Sequence, residues 1–340
     1  MTLMPKMGFR FDASANLGLG HLMRCSVLAQ NLDGYEHSFW VREDPATKSL
    51  LAGRPAHYIS PDLDIDEELA FLQREITTAG IDSMVVDFLR YPEGYIKRLK
   101  AMVPFLVSLH EYELDCPFSD MVVNYNSFKG FNSIRDSEDK CLGPSYVILR
   151  EGVRGVNNHR PSSRVANILI SMGGSDPNGV TFKAARALAG LRKNFRLIIH
   201  IGPAFKYGER LGELSMLPGA VIEDQVTELA DLMVQADLAI SAGGNTMYEL
   251  CYLGVPSIII SQNAHQLEFA EGLAAVGAVR SIGLHSEITG DEIADAAEIM
   301  TGDFRLRRTF SERGREIIDG GGCERIVKKI MSRMDTVRHT

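Results

Sequence analysis

The sequence predicts an α/β protein built from two doubly wound domains, and three observations carry that prediction. The chain has 340 residues, and roughly 150 residues per domain then gives about two domains. Short β-branched runs alternate with longer amphipathic stretches in both halves of the chain. The runs are apolar throughout rather than alternating, as expected for parallel strands that are buried on both faces. Alternation of strands and helices in this way is typical of a parallel sheet covered by helices.

Apolar runs place the predicted strands along the chain. In the first half the strands are Met84–Asp87, Phe105–Leu109 and Met121–Asn124. In the second half they are Ile168–Ser171, Leu197–Ile201, Leu238–Ser241 and Ser257–Ile260. Residues with helical spacing predict helices over Leu22–Leu32, Gly179–Leu191, Asn245–Leu253 and Cys323–Met334.

The predicted domain boundary lies in Gly152–Arg164. This segment is rich in Gly, Asn, Ser and Pro and has no apolar periodicity, so it is interpreted as a linker. The expected domains are residues 1–155 and 163–318, and residues 319–340 form a final helix that could cross back onto the first domain. Ligands of such folds bind beyond the carboxyl ends of the strands, so a cleft between the domains is the expected site.

Charge and cysteine usage exclude several classes of function. The 36 Lys and Arg residues are outnumbered by 44 Asp and Glu residues, which gives a formal net charge of -8. A nucleic acid polymer is therefore not expected as a partner, because the phosphate backbone binds basic surfaces. The five cysteines are scattered and form no C-x-x-C pair. This usage argues against a disulfide framework or a zinc site and fits a reducing compartment.

No transmembrane or targeting segment is predicted. The most apolar stretch, Val255–Ile260, is far too short to span a bilayer. The N-terminal residues lack the continuous apolar region of a signal peptide. The expected location is the cytoplasm, and the sequence makes no prediction about an oligomeric partner.

The first candidate for chemistry is the segment Asn16–Cys25. Gly18 and Gly20 permit a tight turn before the predicted helix, and a helix that begins here would direct free N–H groups and a positive dipole end toward a ligand. His21 stands at that start, where the dipole disfavours the imidazolium. One interpretation is therefore a neutral imidazole that accepts a proton. The other is a histidine that only caps the helix, and the spacing supports both equally.

Two glycine pairs follow predicted strands in the second half. Gly173–Ser175 and Gly243–Asn245 each lie between a strand and a helix, which is where nucleotide-binding folds hold phosphates. Backbone donors from both turns would reach a diphosphate. Glu249 lies one turn into the second of these helices and could accept hydrogen bonds from both hydroxyls of a ribose, or could be a surface glutamate. The paired turns favour phosphate and ribose binding.

Polar residues also end other predicted strands. Asp87 is the last residue of its predicted strand, a position from which it could line the ligand cleft or cap the next turn. The segment Gln262–Gln266 follows the strand Ser257–Ile260, at a position where α/β proteins collect specificity groups, although Asn263 could equally belong to a solvated loop. The remaining histidines form no set with metal-ligand spacing, so neither a metal site nor a cofactor is predicted.

These motifs together resemble those of a known family. The opening segments Arg10–Ser14 and Gly18–Cys25 are similar to the R-x-D-x-S…G-x-G-H-x-x-R-C pattern of the pseudaminic-acid-pathway UDP-sugar hydrolases. Three further segments fit the same family in the same order: Tyr146–Glu151, Ser171–Asp176 and Asp319–Arg325. The resemblance covers nearly the whole chain.

The second half also resembles the UDP-binding half of the MurG-like glycosyltransferases. The segments that carry this resemblance are Ala242–Gly244, Tyr248–Leu250 and Gly254–Pro256. Both groups have the GT-B architecture, which implies two Rossmann-like domains that face a cleft, with the nucleotide held mostly by the second domain.

The resemblance implies roles for individual residues. His21 corresponds to a general base that activates water against the anomeric carbon, with inversion and release of UDP, and no metal is implied because backbone N–H groups hold the diphosphate. Glu249 corresponds to the ribose ligand, and Ile222, in the predicted loop Val221–Asp224, to the residue at the uracil. Contacts to the rest of the substrate are implied for Asp12, Gly18, Gly20, Arg24, Asp87, His265 and Gln266. Contacts to UDP are implied for Gly173, Gly174, Ser175, Ile222, Gly243, Gly244, Asn245 and Glu249.

Two departures from the hydrolase pattern indicate a changed sugar. Leu89 stands where the hydrolases usually carry a tyrosine, and His265 stands where they usually carry an asparagine. The first hypothesis is hydrolysis of a UDP-amino sugar in nonulosonic-acid or related surface-glycan synthesis. The alternative is a glycosyltransferase with a UDP-sugar donor. A non-catalytic nucleotide-sugar-binding protein is disfavoured by the intact Gly18–His21 element.

Overall fold

The structure is a computed structural model, in which the described residues are 4–14, 19–88, 94–109, 118–126, 139–156, 159–191, 195–226 and 228–339. The chain divides into two compact units. The first unit comprises Met1–Arg150 and Gly321–Thr340, and the second comprises Glu151–Gly320. Each unit contains one parallel β-sheet with helices.

The sheet of the first unit has seven strands in the order β3-β2-β1-β4-β5-β6-β7, and all pairs are parallel. The strands are β1 (Lys6–Phe11), β2 (Glu36–Arg42), β3 (Ala56–Ile59), β4 (Ser83–Asp87), β5 (Phe105–Leu109), β6 (Met121–Asn124) and β7 (Lys140–Leu142). The helices between them are α1 (Gly20–Asn31), α2 (Pro45–Leu50), α3 (Ile65–Ala79) and α4 (Tyr95–Lys100).

The sheet of the second unit has six parallel strands in the order β10-β9-β8-β11-β12-β13. The strands are β8 (Asn167–Ser171), β9 (Arg196–His200), β10 (Ala220–Glu223), β11 (Leu238–Ser241), β12 (Ser257–Ser261) and β13 (Arg280–Leu284). The helices are α5 (Glu151–Arg154), α6 (Val180–Ala189), α7 (Leu211–Ser215), α8 (Leu229–Met233), α9 (Asn245–Leu253), α10 (Ala264–Ala275), α11 (Gly290–Gly302) and α12 (Phe304–Ile317).

Both strand orders reverse direction once, as in doubly wound folds. The reversal falls between β1 and β4 in the first sheet and between β8 and β11 in the second. At such a switch point the loops beyond the carboxyl ends of the two strands diverge and leave a crevice for a ligand. The predicted fold class, two doubly wound α/β domains, is confirmed.

The predicted strands form because their side chains are buried on both faces of a sheet. All five residues of β4 and of β5 are buried, as are all four of β11. The six strands that the prediction missed carry polar residues or lie toward a sheet edge, and β1 is the central example. Lys6 and Arg10 interrupt its apolar pattern, yet Arg10 is buried in the structure. An ion pair with Glu68, a residue distant in sequence, explains how the charge of Arg10 is buried.

Two segments differ from their predicted form. Ile222 was placed in a loop, but it lies in β10, which pairs in parallel with β9. The segment Gly152–Arg164 was interpreted as a linker, but it begins within α5 and is tied to the second unit. The buried Arg307 donates hydrogen bonds to the carbonyl groups of Ser162 at 2.8 Å and Ser163 at 3.0 Å. These contacts tie the end of the segment to α12.

The last helix, α13 (Gly322–His339), belongs to the first unit, where it packs against α1. Gly322 is required at its start, because a Cβ atom there would lie 2.2 Å from the carbonyl oxygen of Val147. Arg325 donates from Nη1 to the carbonyl oxygen of Ser145 at 2.7 Å. The glycine and arginine of the Asp319–Arg325 motif therefore anchor this helix. Within the described part of the chain, no helix is long and apolar enough to cross a membrane.

Candidate functional site

The switch point of the first sheet brings together residues that are distant in sequence. Phe11 at the end of β1 pairs with Asp87 at the end of β4. Helix α1 begins at Gly20, close after β1, and carries His21 and Arg24 in its first turns. Gly18 and Leu89, which the sequence analysis singled out, lie outside the described residues.

His21, Arg24 and Asp87 form a buried cluster at this point. The Nδ1 atom of His21 lies 2.8 Å from Oδ1 of Asp87. Arg24 binds the same carboxylate with two donors, from Nε to Oδ2 at 2.5 Å and from Nη2 to Oδ1 at 2.6 Å. Asp87 is fully buried, and His21 is 8% exposed. Arg24 also donates from Nη1 to the hydroxyl of Tyr125 at 3.0 Å, a residue that sequence reasoning missed.

Asp87 is ionised beside the histidine. Burial by itself raises the pKa of this carboxyl group, but the Arg24 guanidinium and His21 hold the pKa well below its usual range. The Nδ1 atom of His21 faces both this carboxylate, which only accepts, and Nη2 of Arg24 at 2.7 Å, which only donates. In the tautomer whose Nδ1–H group donates to Asp87, Nε2 carries the lone pair. Nε2 has no hydrogen-bond partner among the described residues. The geometry is that of a histidine base oriented by a carboxylate.

The interpretation of His21 as a helix cap finds no support in this geometry. Within the described residues, no side chain caps the start of α1, and the imidazole is engaged with Asp87 instead. The neighbouring Cys25 is not a nucleophile, because burial and the nearby Asp87 carboxylate raise the pKa of its thiol well above the usual value.

A second buried network lies beside this cluster. Arg10 donates from Nη2 to Oε1 of Glu68 at 2.7 Å and from Nη1 to Oδ1 of Asp12 at 2.6 Å. The hydroxyl of Tyr95 donates to Oε1 of Glu68 at 2.6 Å. The Arg10 guanidinium also lies 4.6 Å from the ring centroid of Phe88, the residue after Asp87. The network therefore holds both strand ends, including the predicted substrate residue Asp12, in place.

The switch point of the second sheet carries the two glycine turns. Ser171 at the end of β8 pairs with Ser241 at the end of β11, so the turns that follow are neighbours. Gly173 has a φ of 82°, which favours glycine. The loop after β9 supports this turn: Ala204 donates its N–H to the carbonyl oxygen of Gly174 at 2.8 Å. Ser175 lies half-buried in the same turn.

The second turn opens directly into α9. Gly244 precedes the helix, Asn245 is its first residue, and no described side chain caps the helix start. Gly243 is packed against Gln266, because a Cβ atom there would lie 2.6 Å from the carbonyl oxygen of Gln266. Glu249 is only 3% exposed, so the alternative of a surface glutamate is wrong. Both turns thus present backbone N–H groups at one sheet edge, a common arrangement for binding anions.

The segment Gln262–Gln266 leads into α10, which begins at Ala264. Asn263 is exposed and lies before the helix, and it caps α10 by accepting a hydrogen bond from the N–H of Gln266 at 3.0 Å. His265 and Gln266 lie in the first turn of α10, at the carboxyl end of β12, the strand next to β11. Ile222 lies on the edge strand β10, two strands from β8.

Carboxylates of the described residues do not gather at the glycine turns. Within that part of the chain, no group of three or more His, Cys, Asp and Glu side chains is placed to hold a metal ion. Asp176, the nearest carboxylate in sequence, accepts from the N–H groups of Val180 and Thr181, each at 2.9 Å. It thereby accepts from the first two N–H groups of α6, which begins at Val180.

Comparison with known proteins identifies a matching family and similar structures. Residues 158–300 match the family described as "Glycosyltransferase family 28 C-terminal domain". The structure superposes on MurG of Acinetobacter baumannii with a TM-score of 0.70 and 16% identity, over 96% of this chain and 100% of that one. The glycotransferase of kitacinnamycin gives a TM-score of 0.71 and 17% identity, over 97% and 99%. The fold is therefore GT-B.

One curated relative aligns along almost the whole chain. It is the spore coat polysaccharide biosynthesis protein SpsG of Bacillus subtilis (strain 168), which is 28% identical over 334 residues. The alignment covers 94% of this chain and 96% of that protein. Hydrolysis in the pseudaminic-acid pathway, the first hypothesis from the sequence, stays a prediction.

Proposed function

We propose that this protein is a glycosyltransferase that moves a sugar from a UDP-sugar donor to an acceptor hydroxyl in the synthesis of a surface polysaccharide. The observation that carries the proposal is the buried His21–Asp87 pair, which leaves Nε2 of His21 as a base at a sheet switch point. The match to a glycosyltransferase domain and the similarity to a polysaccharide biosynthesis protein favour transfer.

The proposed reaction uses His21 as the general base. Nε2 accepts the proton of the acceptor hydroxyl while its oxygen attacks the anomeric carbon of the donor. The bond from that carbon to the phosphate oxygen breaks, the electron pair leaves with UDP, and the configuration inverts. Asp87 stabilises the imidazolium that forms, and Arg24 holds Asp87 in place.

The proposed donor site is the switch point of the second sheet. Backbone N–H groups of the turns at Gly173–Ser175 and Gly243–Asn245 hold the diphosphate, together with the positive end of the α9 dipole. These donors stabilise the negative charge that develops on the leaving group. Glu249 accepts from the ribose hydroxyls, and the backbone at Ile222 recognises the uracil.

Hydrolysis of a UDP-sugar is the second candidate. The N-terminal motif around Gly18–Cys25 favours it, because that motif resembles the hydrolases more closely than the transferases. The same base would then activate water. One assay separates the two functions: a panel of UDP-amino sugars is incubated with and without acceptor glycans while UDP release is followed. Release that requires the acceptor supports transfer, equal release without it supports hydrolysis, and no release from any donor contradicts both.

Replacing Glu249 is expected to weaken UDP binding. If the carboxylate accepts from both ribose hydroxyls, Glu249→Ala should cost roughly 1.5–3 kcal/mol of binding free energy, the usual scale for hydrogen bonds to a charged group. Calorimetry with UDP and 2'-deoxy-UDP measures this: the wild type should discriminate between them and the variant should not. Glu298→Ala, an exposed glutamate on α11, is the control. Equal discrimination by all three proteins would refute the ribose contact.

Chelation of divalent metals is expected to leave turnover unchanged. Helix N-termini and oriented N–H groups can hold a leaving diphosphate, whereas magnesium needs one or two carboxylates near the phosphates. The oxygens of Asp176 already accept from Val180 and Thr181. UDP release should therefore be the same before and after dialysis against EDTA. Loss of turnover that Mg²⁺ restores would contradict this site, and Asp176 would be the first residue to test.

A further inference from the structure

A chain of buried amide contacts joins the ends of β8 and β12 in the second unit. It runs from Asp176, in the segment after β8, through Gln262, directly after β12, to Gln266 in α10. Gln262 is 7% exposed and Asp176 is 2% exposed. Gln262 opens the polar segment Gln262–Gln266 of the sequence analysis, but no role was assigned to it there, and the proposed reaction does not use it.

Backbone donors determine how Asp176 is used. The N–H of Val180 reaches Oδ1 at 2.9 Å, and the N–H of Thr181 reaches Oδ2 at 2.9 Å. A backbone N–H can only donate, so both oxygens of Asp176 are acceptors. Asp176 adopts a φ of 39°, a left-handed conformation that aspartate tolerates better than most residues. The hydrogen bonds within its own segment therefore hold the carboxylate of Asp176 in place independently of Gln262.

The orientation of the Gln262 carboxamide follows from Asp176. The atom of Gln262 that lies 2.8 Å from Oδ1 must be the donor Nε2. Its Oε1 then faces the other way, where Asn178 donates from Nδ2 at 2.8 Å. Every polar atom of the Gln262 side chain is therefore satisfied in one orientation only.

The orientation of Gln266 is set by the backbone of Gln262, which the side chain of Gln262 anchors through Asp176 and Asn178. The backbone N–H of Gln262 donates to the Gln266 side chain at 2.9 Å, so the accepting atom is Oε1. Nε2 of Gln266 consequently lies toward Gly244, 3.8 Å from the place of a Cβ atom on that glycine. Gly244 is the residue before α9, whose start no described side chain caps. The amide donor of Gln266 and the N–H groups of α9 thus converge.

We propose that Gln262 is a positioning residue: its side chain, held by Asp176 and Asn178, fixes the backbone N–H that locks the Gln266 carboxamide with its NH₂ group facing the start of α9. This arrangement, the lock, selects a ligand that presents a negatively charged or acceptor oxygen to the Gln266 NH₂ group. Within the proposed function, on which this inference rests, that oxygen belongs to the diphosphate. Gln262 acts through Gln266 and Asp176 and does not itself touch the ligand.

Isothermal titration of the full-length protein with UDP and with inorganic pyrophosphate tests the lock, with each variant compared with wild type at the same pH. Gln262→Ala should lower UDP affinity about three- to tenfold, the scale of one or two lost hydrogen bonds. Gln262→Glu places a second carboxylate against Asp176 and should cost more at pH 8 than Gln262→Ala. At pH 5 the added carboxyl group can protonate and donate to Asp176, so affinity relative to wild type should recover.

Gln266→Glu provides a second test that leaves the buried contacts of Gln262 with Asp176 and Asn178 intact. It replaces the proposed donor by a carboxylate oxygen and should lower affinity for both ligands by more than about 30-fold, because like charges in contact cost several kcal/mol. Gln235→Glu, which adds the same charge to an exposed residue beyond α8, should change affinity less than about twofold.

The outcomes separate this inference from the proposed function. If wild type binds UDP but Gln266→Glu binds it equally well, or if Gln262→Glu shows no recovery at pH 5, the lock is wrong and the donor site stands. If wild type binds pyrophosphate and not UDP, and Gln266→Glu abolishes that binding, the lock stands and the proposed function is wrong. Binding of neither ligand by wild type overturns both.

Discussion

Replacement of His21 by asparagine is expected to lower turnover by about two to four orders of magnitude, the usual contribution of a general base. UDP binding should stay nearly unchanged, because the proposed nucleotide contacts all lie in the second unit. The physical reason is the geometry of the imidazole. Asp87 lies 2.8 Å from Nδ1 and is itself kept ionised by Arg24, so in the proposed tautomer Nδ1–H donates to Asp87 and Nε2 accepts the proton. Steady-state UDP release and calorimetry with UDP measure the two quantities.

The controls separate a base from a structural histidine. His57→Asn changes a half-exposed histidine of the same unit that pairs with Glu75, and its turnover should equal that of wild type. Asparagine at position 21 can still accept or donate near Asp87, so the variant should unfold near the wild-type temperature. Turnover at the wild-type level in His21→Asn would remove the catalytic role. A large loss of thermal stability would instead assign His21 a structural role in the buried cluster with Asp87.

Truncation of Glu68 should destabilise the first unit by about 3–5 kcal/mol, the usual cost of removing one partner of a buried ion pair. Arg10 is 1% exposed, and Glu68 accepts from its Nη2 at 2.7 Å. Glu68→Ala would leave the Arg10 guanidinium buried beside the Phe88 ring, with hydrogen bonds only to Asp12 and the carbonyl group of Phe11. Urea unfolding followed by circular dichroism measures the loss.

A triple variant tests whether the loss comes from an unpaired charge. Arg10→Met, Glu68→Leu and Tyr95→Phe together remove the buried pair and its hydroxyl donor, and apolar replacement of a buried ion pair is often neutral or stabilising. The triple variant should therefore be more stable than Glu68→Ala alone. If it is as unstable as Glu68→Ala, packing rather than charge explains the loss.

The pH dependence of stability gives an independent check on Glu68. Burial raises its pKa, but Arg10, Tyr95 and Arg42 together hold the pKa below the usual value. The unfolded chain then binds the proton more readily than the folded chain. The stabilisation is fully present above the unfolded pKa, near 4.5, and is lost as the pH falls through the lower folded pKa. Glu68→Ala should lack this part of the acid sensitivity.

Local sequence chemistry determined the fold class and part of the candidate site. Uniformly apolar runs mark strands buried on both faces, so β4, β5, β6 and β11 were predicted to within one residue. Glycine pairs after two of the predicted strands marked the turns, in which Gly173 has a positive φ and Gly243 packs closely against Gln266, and the structure places both turns at one switch point. Each of these patterns lies within a few consecutive residues. It can therefore be recognised in the sequence without knowledge of the tertiary structure.

Tertiary structure alone decided which polar residues are buried and what they bind. Strand β1 was not predicted, because Arg10 interrupts its apolar pattern. Only the contact of Arg10 with Glu68, 58 residues away, explains how its charge is buried. The proposed base depends on Asp87, 66 residues from His21, and the orientation of Gln266 depends on Asp176 through Gln262. Each of these contacts joins segments that only strand order brings together. The physical reason is that a polar side chain carries no local mark of its partner, so its burial and charge state are set by which strands become neighbours.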